Sequence, residues 1–111
     1  MDWIKIAPTS SFDKDLGNCV KIKKRQIAIF NLSDKNEWYA VDNRCPHKNM
    51  MVLSRGLTGK TMVDTPKVAC PLHKRNFCLR TGRHLGDDDI ADIATYPIKI
   101  LDDWVYLGLS Q

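Results

Sequence analysis

Two short boxes constrain this chain more than anything else in it: Cys45-Pro46-His47 and Cys70-Pro71-Leu72-His73, separated by 22 residues. Each places one thiol and one imidazole two or three positions apart, with a proline between them that fixes φ and favours a turn. At that spacing a turn can direct both side chains inward, so each box offers half of a four-ligand set. Cys19 and Cys78 complete the cysteines. The N-terminus, Met1-Asp2-Trp3-Ile4-Lys5, lacks a basic region followed by a long apolar run, so four cysteines here point to metal or redox chemistry over a disulfide framework.

A chain of 111 residues is expected to form one domain, 1–111, because a second core would be starved of apolar surface. With 43% hydrophobic and 27% charged residues it reads as a folded protein, and Trp3, Trp38 and Trp104 are the bulky core candidates. No apolar stretch approaches the roughly 20 residues that span a bilayer, so a soluble, cytoplasmic protein without a membrane partner is expected. The net charge of +4 favours acidic partners. Its one concentrated basic run, Lys21 to Arg25, reads as a solvated strand end and turn, and no nucleic-acid partner is expected.

Short β-rich runs recur between turn signals: Trp3–Ile6, Cys19–Ile22, Ile27–Asn31, Glu37–Asp42, Lys67–Cys70, Asn76–Arg80, Tyr96–Leu101 and Trp104–Leu109. The pattern predicts an all-β, antiparallel fold. Asp102-Asp103 reads as a tight hairpin turn, because Asp tolerates the conformations such a loop needs. One helical turn is expected within Thr9–Gly17. Asn43–Asp64 and Pro71–Gly82 resist the strand reading and read as long loops, and they carry both boxes.

Several chemistries compete for the boxes. Zinc is content with two cysteines and two histidines, but zinc modules usually begin with a C-x₂₋₄-C pair, whereas here each box joins one Cys to one His. A four-cysteine cluster lacks its C-x₄-C-x₂-C spacing. A Cys–His nucleophilic pair leaves the duplication unexplained. Cys19 and Cys78 read as buried or half-buried strand thiols.

The two boxes resemble the Rieske family, in which two cysteines bind one iron of a [2Fe–2S] cluster and two histidines the other. The resemblance implies a small β-barrel or sandwich with a cluster-binding part of two loops, about residues 43–82. It also implies that Cys45 and Cys70 hold the buried iron, and His47 and His73 the outer one. Two thiolates leave an oxidised cluster neutral where four would leave it negative, so mixed ligation eases electron addition. High-potential relatives carry a further cysteine two residues after each ligand histidine. Those positions here are Asn49 and Arg75, which places the chain with the ferredoxin-like kind.

Two longer stretches, Met51 to Leu57 with its L-S-R-G segment and Val68 to Gly82, resemble the small subunit of assimilatory NAD(P)H-dependent nitrite reductase. That resemblance implies an electron-transfer subunit of an oxidoreductase with no substrate site of its own. Its partner would be a large subunit carrying FAD, sirohaem and a [4Fe–4S] cluster, which reduces nitrite to ammonium. A free-standing ferredoxin for an oxygenase, or a zinc-stabilised binding module, are the alternatives. Arg44, Lys48, Lys74 and Arg75 are read as a basic collar around the ligands, Arg55 as a buried or half-buried anchor of the long loop or else a contact to the large subunit, His84 as an exposed loop residue and Asp87–Asp89 as solvated acid.

Overall fold

The computed structural model describes residues 2–33, 36–46, 50–72, 75–86 and 90–109. In chain order the strands are β1 (Asp2–Pro8), β2 (Gly17–Ile22), β3 (Arg25–Leu32), β4 (Glu37–Asp42), β5 (Arg44–Cys45), β6 (Met50–Met51), β7 (Leu57–Lys60), β8 (Pro66–Ala69), β9 (Asn76–Cys78), β10 (Thr95–Tyr96), β11 (Ile98–Leu101) and β12 (Trp104–Leu109). Every pairing of named strands is antiparallel. Helix among the described residues is limited to two 3₁₀ turns, Thr9–Ser11 and Leu53–Arg55. The expected all-β fold and the helical turn after β1 are therefore present.

β3 organises the interior. It is apolar from Ile27 to Phe30 without a break, as a strand covered on both faces should be. Alternation then sorts its side chains. Ile27 and Ile29 pack with Ala40, Val105 and Leu107 in one core, while Ala28, Phe30 and Leu32 pack with Leu53, Val68, Phe77, Cys45 and Cys70 in a second. Each fully buried Phe or Ile contributes about 1.5–3 kcal/mol relative to exposure. Four strands in the order β10-β4-β3-β2 form the dividing sheet; β1-β12-β11 covers one side, and the small sheets β5-β6 and β7-β8-β9 lie on the other.

The turns follow from their residues. Asp102 and Asp103 link β11 to β12 with φ of 51° and 62°, the double left-handed conformation of a two-residue I′ hairpin. Lys23 at φ 57° turns β2 into β3, so the basic run is a solvated hairpin end as expected. The expected strand Tyr96–Leu101 is divided at Pro97: β10 pairs with β4, while β11 pairs with β12. Proline has no N–H for a ladder, and its carbonyl accepts the Gly108 N–H at 2.9 Å, so the chain changes sheets there.

The Asn43–Asp64 stretch is more regular than its sequence implies, since it contains β5, β6, the Leu53–Arg55 turn and β7. The tryptophans are less buried than expected. Trp3 is 40% exposed, and Trp38 and Trp104 are half-buried, because the interior is filled by Ile, Phe, Leu and Val from β3, β4 and β12.

Candidate metal centre

Both boxes sit in hairpin connections. Cys45 ends β5 opposite Met50 of β6, so residues 46–49 form the connection between them. Ala69 ends β8 opposite Asn76 of β9, and the Cys70 N–H donates to the Arg75 carbonyl at 2.8 Å, closing a loop across residues 71–74. His47 and His73 lie outside the described residues, as do Lys48, Asn49 and Lys74.

Cys45 and Cys70 are each 1% exposed and belong to the same core cluster, against Phe77, Leu53 and Val68. None of the four cysteines forms a disulfide. The fold thus brings two elements 25 positions apart in sequence into one apolar neighbourhood and supplies two sulfur donors there. Buried soft donors at the end of β5 and just after β8 suit a thiolate-bound iron centre. Among the described residues no group of three His, Cys, Asp or Glu side chains forms another candidate.

The first box is positioned by Asn43, which sequence reasoning did not single out. It is 2% exposed and immediately precedes β5. Its N–H donates to the Gln26 carbonyl at 2.9 Å and its carbonyl accepts from Leu53 N at 3.0 Å. Its side-chain oxygen accepts from Ser54 N at 2.6 Å, and its amide donates to Gln26 Oε1 at 3.2 Å. One residue therefore ties β3, the start of β5 and the Leu53–Arg55 turn together. The available signal was an asparagine between a strand and a ligand box, a place where a side chain can satisfy bent backbone.

The anchor of the long loop is Leu53, wholly buried, and not Arg55, which is exposed. In a 3₁₀ turn positions two apart diverge, so seating Leu53 in the core turns Arg55 to solvent. Gly56 packs so closely on Ala69 and Val68 that a Cβ there would collide with the Ala69 carbonyl. Only a glycine lets this loop lie against the strand that leads into Cys70.

The remaining expectations divide. Cys78 is buried on β9, as anticipated. Burial raises its thiol, but hydrogen bonds from the Thr81 side chain and backbone and the Arg80 backbone, with the Arg80 charge, bring it below the usual value. Cys19 is exposed on β2, contrary to expectation, although its sulfur accepts from the Asn43 amide at 3.5 Å. His84 is half-buried and not a free loop residue: its ring lies 5.4 Å from that of Phe77, and its N–H donates to Asp92 Oδ1 at 3.0 Å. Asp87–Asp89 lie outside the described residues. Of the basic collar, Arg44 is exposed and Arg75 half-buried. Beside them the surface is more apolar than expected, with Met50, Met51 and Leu72 exposed around the two connections.

The fold and the paired hairpin boxes define an iron–sulfur domain, and comparison with known proteins gives its family. Residues 2–108 match the Rieske-like [2Fe-2S] domain, and the chain belongs to that family, whose cofactor is a [2Fe–2S] cluster. Such a cluster, when bound, carries one electron at a time. Among curated proteins, the chain is similar to the nitrite reductase [NAD(P)H] of Emericella nidulans, with 40% identity over 81% of this chain but 8% of that protein. It is also similar to the 3-phenylpropionate/cinnamic acid dioxygenase ferredoxin subunit of Photorhabdus laumondii, with 38% identity over 77% of this chain and 74% of the relative. Among solved structures, the nitrite reductase [NAD(P)H] small subunit from Erwinia carotovora superposes with a TM-score of 0.80 at 28% identity, covering 98% of this chain and 82% of that one. These similarities make the chain an electron-transfer domain related both to nitrite reductase subunits and to oxygenase ferredoxins. No helix among the described residues is long and apolar enough to cross a membrane.

Proposed function

We propose that this chain is the electron-transfer small subunit of a cytoplasmic NAD(P)H-dependent nitrite reductase serving nitrate assimilation, and that residues 1–111 form one Rieske-type domain. In this reading Cys45 and Cys70 hold one iron of the cluster, and His47 and His73 hold the other. The observation that carries the reading is the burial of Cys45 and Cys70 in one core cluster, each beside a hairpin connection that includes a histidine. The similarity to nitrite reductase sequences and small-subunit structures supports a large-chain partner; in this reading that chain carries FAD, sirohaem and a [4Fe–4S] cluster and reduces nitrite to ammonium. The subunit has no nitrite site of its own and assists electron flow. Exposed Met50, Met51 and Leu72 suit transient contact with a redox site at the centre, since apolar surface at a contact is removed from water.

A second reading, a ferredoxin serving an oxygenase, is favoured by the similarity to the dioxygenase ferredoxin subunit, of which the chain covers most. One experiment separates the readings. The protein is purified anaerobically with the large reductase chain of the same source, analysed for iron, sulfide and zinc, and followed by visible absorption and electron paramagnetic resonance. Co-purification and bleaching by NAD(P)H through the large chain are expected. A coloured protein that ignores that chain and reduces an oxygenase supports the ferredoxin reading. A colourless protein with stoichiometric zinc overturns both.

A further inference from the structure

The outer face of the β1-β12-β11 sheet is a second unusual surface. Val105 and Leu107 point into the core, so alternation turns Trp104 and Tyr106 outward. Their register partners are Lys5 and Lys99 beside Tyr106, and Leu101 beside Trp104; Trp3 stands further along β1 on the same side. Among the described residues the face therefore presents three aromatic rings and a leucine with two lysines, and the nearest acids along the hairpin are Asp102 and Asp103 in the turn at its end. The lysines lie on the rings: Lys5 Nζ is 4.2 Å from the Trp104 ring centre, and Lys99 Nζ is 4.3 Å from Trp3 and 5.7 Å from Tyr106.

That composition selects its occupant. Tryptophan and tyrosine make dense, low-entropy contacts at protein interfaces. Covering them also removes the two ammonium groups from water, which is tolerable only where carboxylates meet them. A second copy of this face brings the same two lysines and offers acid only from the Asp102–Asp103 turn at its end, away from the centre of the patch. A nucleic acid would supply anions, but two lysines make a short phosphate track. The complement is a protein surface with carboxylates set around an apolar patch.

The face also lies apart from the metal centre, because Val105 and Leu107 belong to the core on one side of β3 and Cys45 and Cys70 to the core on the other. We propose that this face docks on an acidic surface of the large reductase chain, holding the domain there while the centre stays open to exchange electrons. This rests on the nitrite reductase reading above.

Binding is measured between the intact protein and the large reductase chain of the same source by titration calorimetry at low and high salt. A labelled 20-nucleotide single strand serves as the competing probe. The Lys5→Glu/Lys99→Glu variant is expected to bind the large chain about tenfold or more weakly, with less salt dependence, and to keep the wild-type visible spectrum. The control Lys21→Glu/Arg83→Glu carries the same charge change at exposed positions off this face and is expected to bind like wild type. Unchanged binding by the first variant, or equal weakening by both, overturns the docking face and leaves the functional reading standing. Wild-type protein that does not bind the large chain overturns both. Tight binding of the single strand, lost in Lys5→Glu/Lys99→Glu, overturns the acidic-protein partner in favour of a nucleic acid.

Discussion

The dividing sheet and the metal-centre side of the molecule are built differently. Within the dividing sheet, Gly17–Ile22 pairs residue for residue with Arg25–Phe30, and Ile27–Leu32 with Glu37–Asp42. On the metal-centre side, β5 and β6 share only Arg44 with Met51 and Cys45 with Met50, and β8 and β9 share three positions. β7 joins the latter pair in a three-stranded sheet, but an isolated two-stranded piece such as β5-β6 does not hold itself together in water. What holds this side is Leu53 in the core, the Asn43 hydrogen bonds and the Gly56 contact, joined in the proposed reading by the cluster. The scaffold is stabilised along its ladders, and the site is stabilised by points.

The largest expected effect separates those two regimes. A metal centre that bridges two hairpin loops contributes folding free energy to them directly. The Cys45→Ser/Cys70→Ser variant should lose all cluster absorption. Its amides in β5, β6, β8 and β9 should lose hydrogen-exchange protection by about a hundredfold or more, while those of β3 stay protected. Equal loss in both regions would mean that the molecule is one cooperative unit and that the division at β3 has no energetic meaning.

The same division decides what was legible in the sequence. Glu37–Asp42 and Trp104–Leu109 are visible to the residue, because a strand with a buried face writes alternation or an apolar run into its composition. The ligand boxes are visible because their chemistry is rare. β5, β6 and β7 are not visible, since two to four residues are too few to carry a period, and β6 is two exposed methionines. Asn43 and Leu53 are silent for another reason. Their roles come from partners far along the chain, Gln26 for one and the core under Cys70 for the other, and no local pattern records them. Of the two readings of Arg55, its exposure removes the anchor: a long basic side chain in a loop resembles one, while Leu53, two positions earlier, does the anchoring.

The next effect tests that last point. Leu53→Ala removes a wholly buried side chain and should destabilise the protein by about 2–5 kcal/mol in urea unfolding, with lower cluster occupancy as purified. Arg55→Ala removes an exposed side chain and should lie within about 0.5 kcal/mol of wild type. A reversal of that order would return the anchoring role to Arg55.

Asn43→Ala comes next. It leaves the Ser54 N–H and the Gln26 side chain without their partner and should cost about 1–3 kcal/mol. Asn43→Asp keeps an acceptor for Ser54 but faces Gln26 Oε1 without a donor, so it should recover only part of the loss. If both variants match wild type in stability and cluster content, the first box is held by something other than this residue.

The smallest effect lies on the seam between the two regions. Asp15 stands at φ 63° after β1, and its carbonyl accepts from Thr58 Oγ1 of β7 at 2.7 Å, while its N–H donates to the Asn31 carbonyl of β3 at 2.7 Å. The Ser33 hydroxyl donates to its carboxylate at 2.5 Å and the Ser33 N–H at 2.9 Å, and these two bonds hold the carboxyl below its usual range. A lowered value in the folded state means that the folded protein prefers the ionised form. Its stabilisation is present above the unfolded carboxylate value of about 3.9 and is lost as pH falls through the lower folded value. Asp15→Asn tolerates the left-handed backbone and keeps an acceptor, but lacks the charge. Wild type should exceed the variant slightly in urea midpoint at neutral pH, and the two curves should converge in acid. A gap that persists or widens below that range would assign the effect to backbone geometry at the seam, because a charge-dependent hydrogen bond cannot outlast protonation of its acceptor.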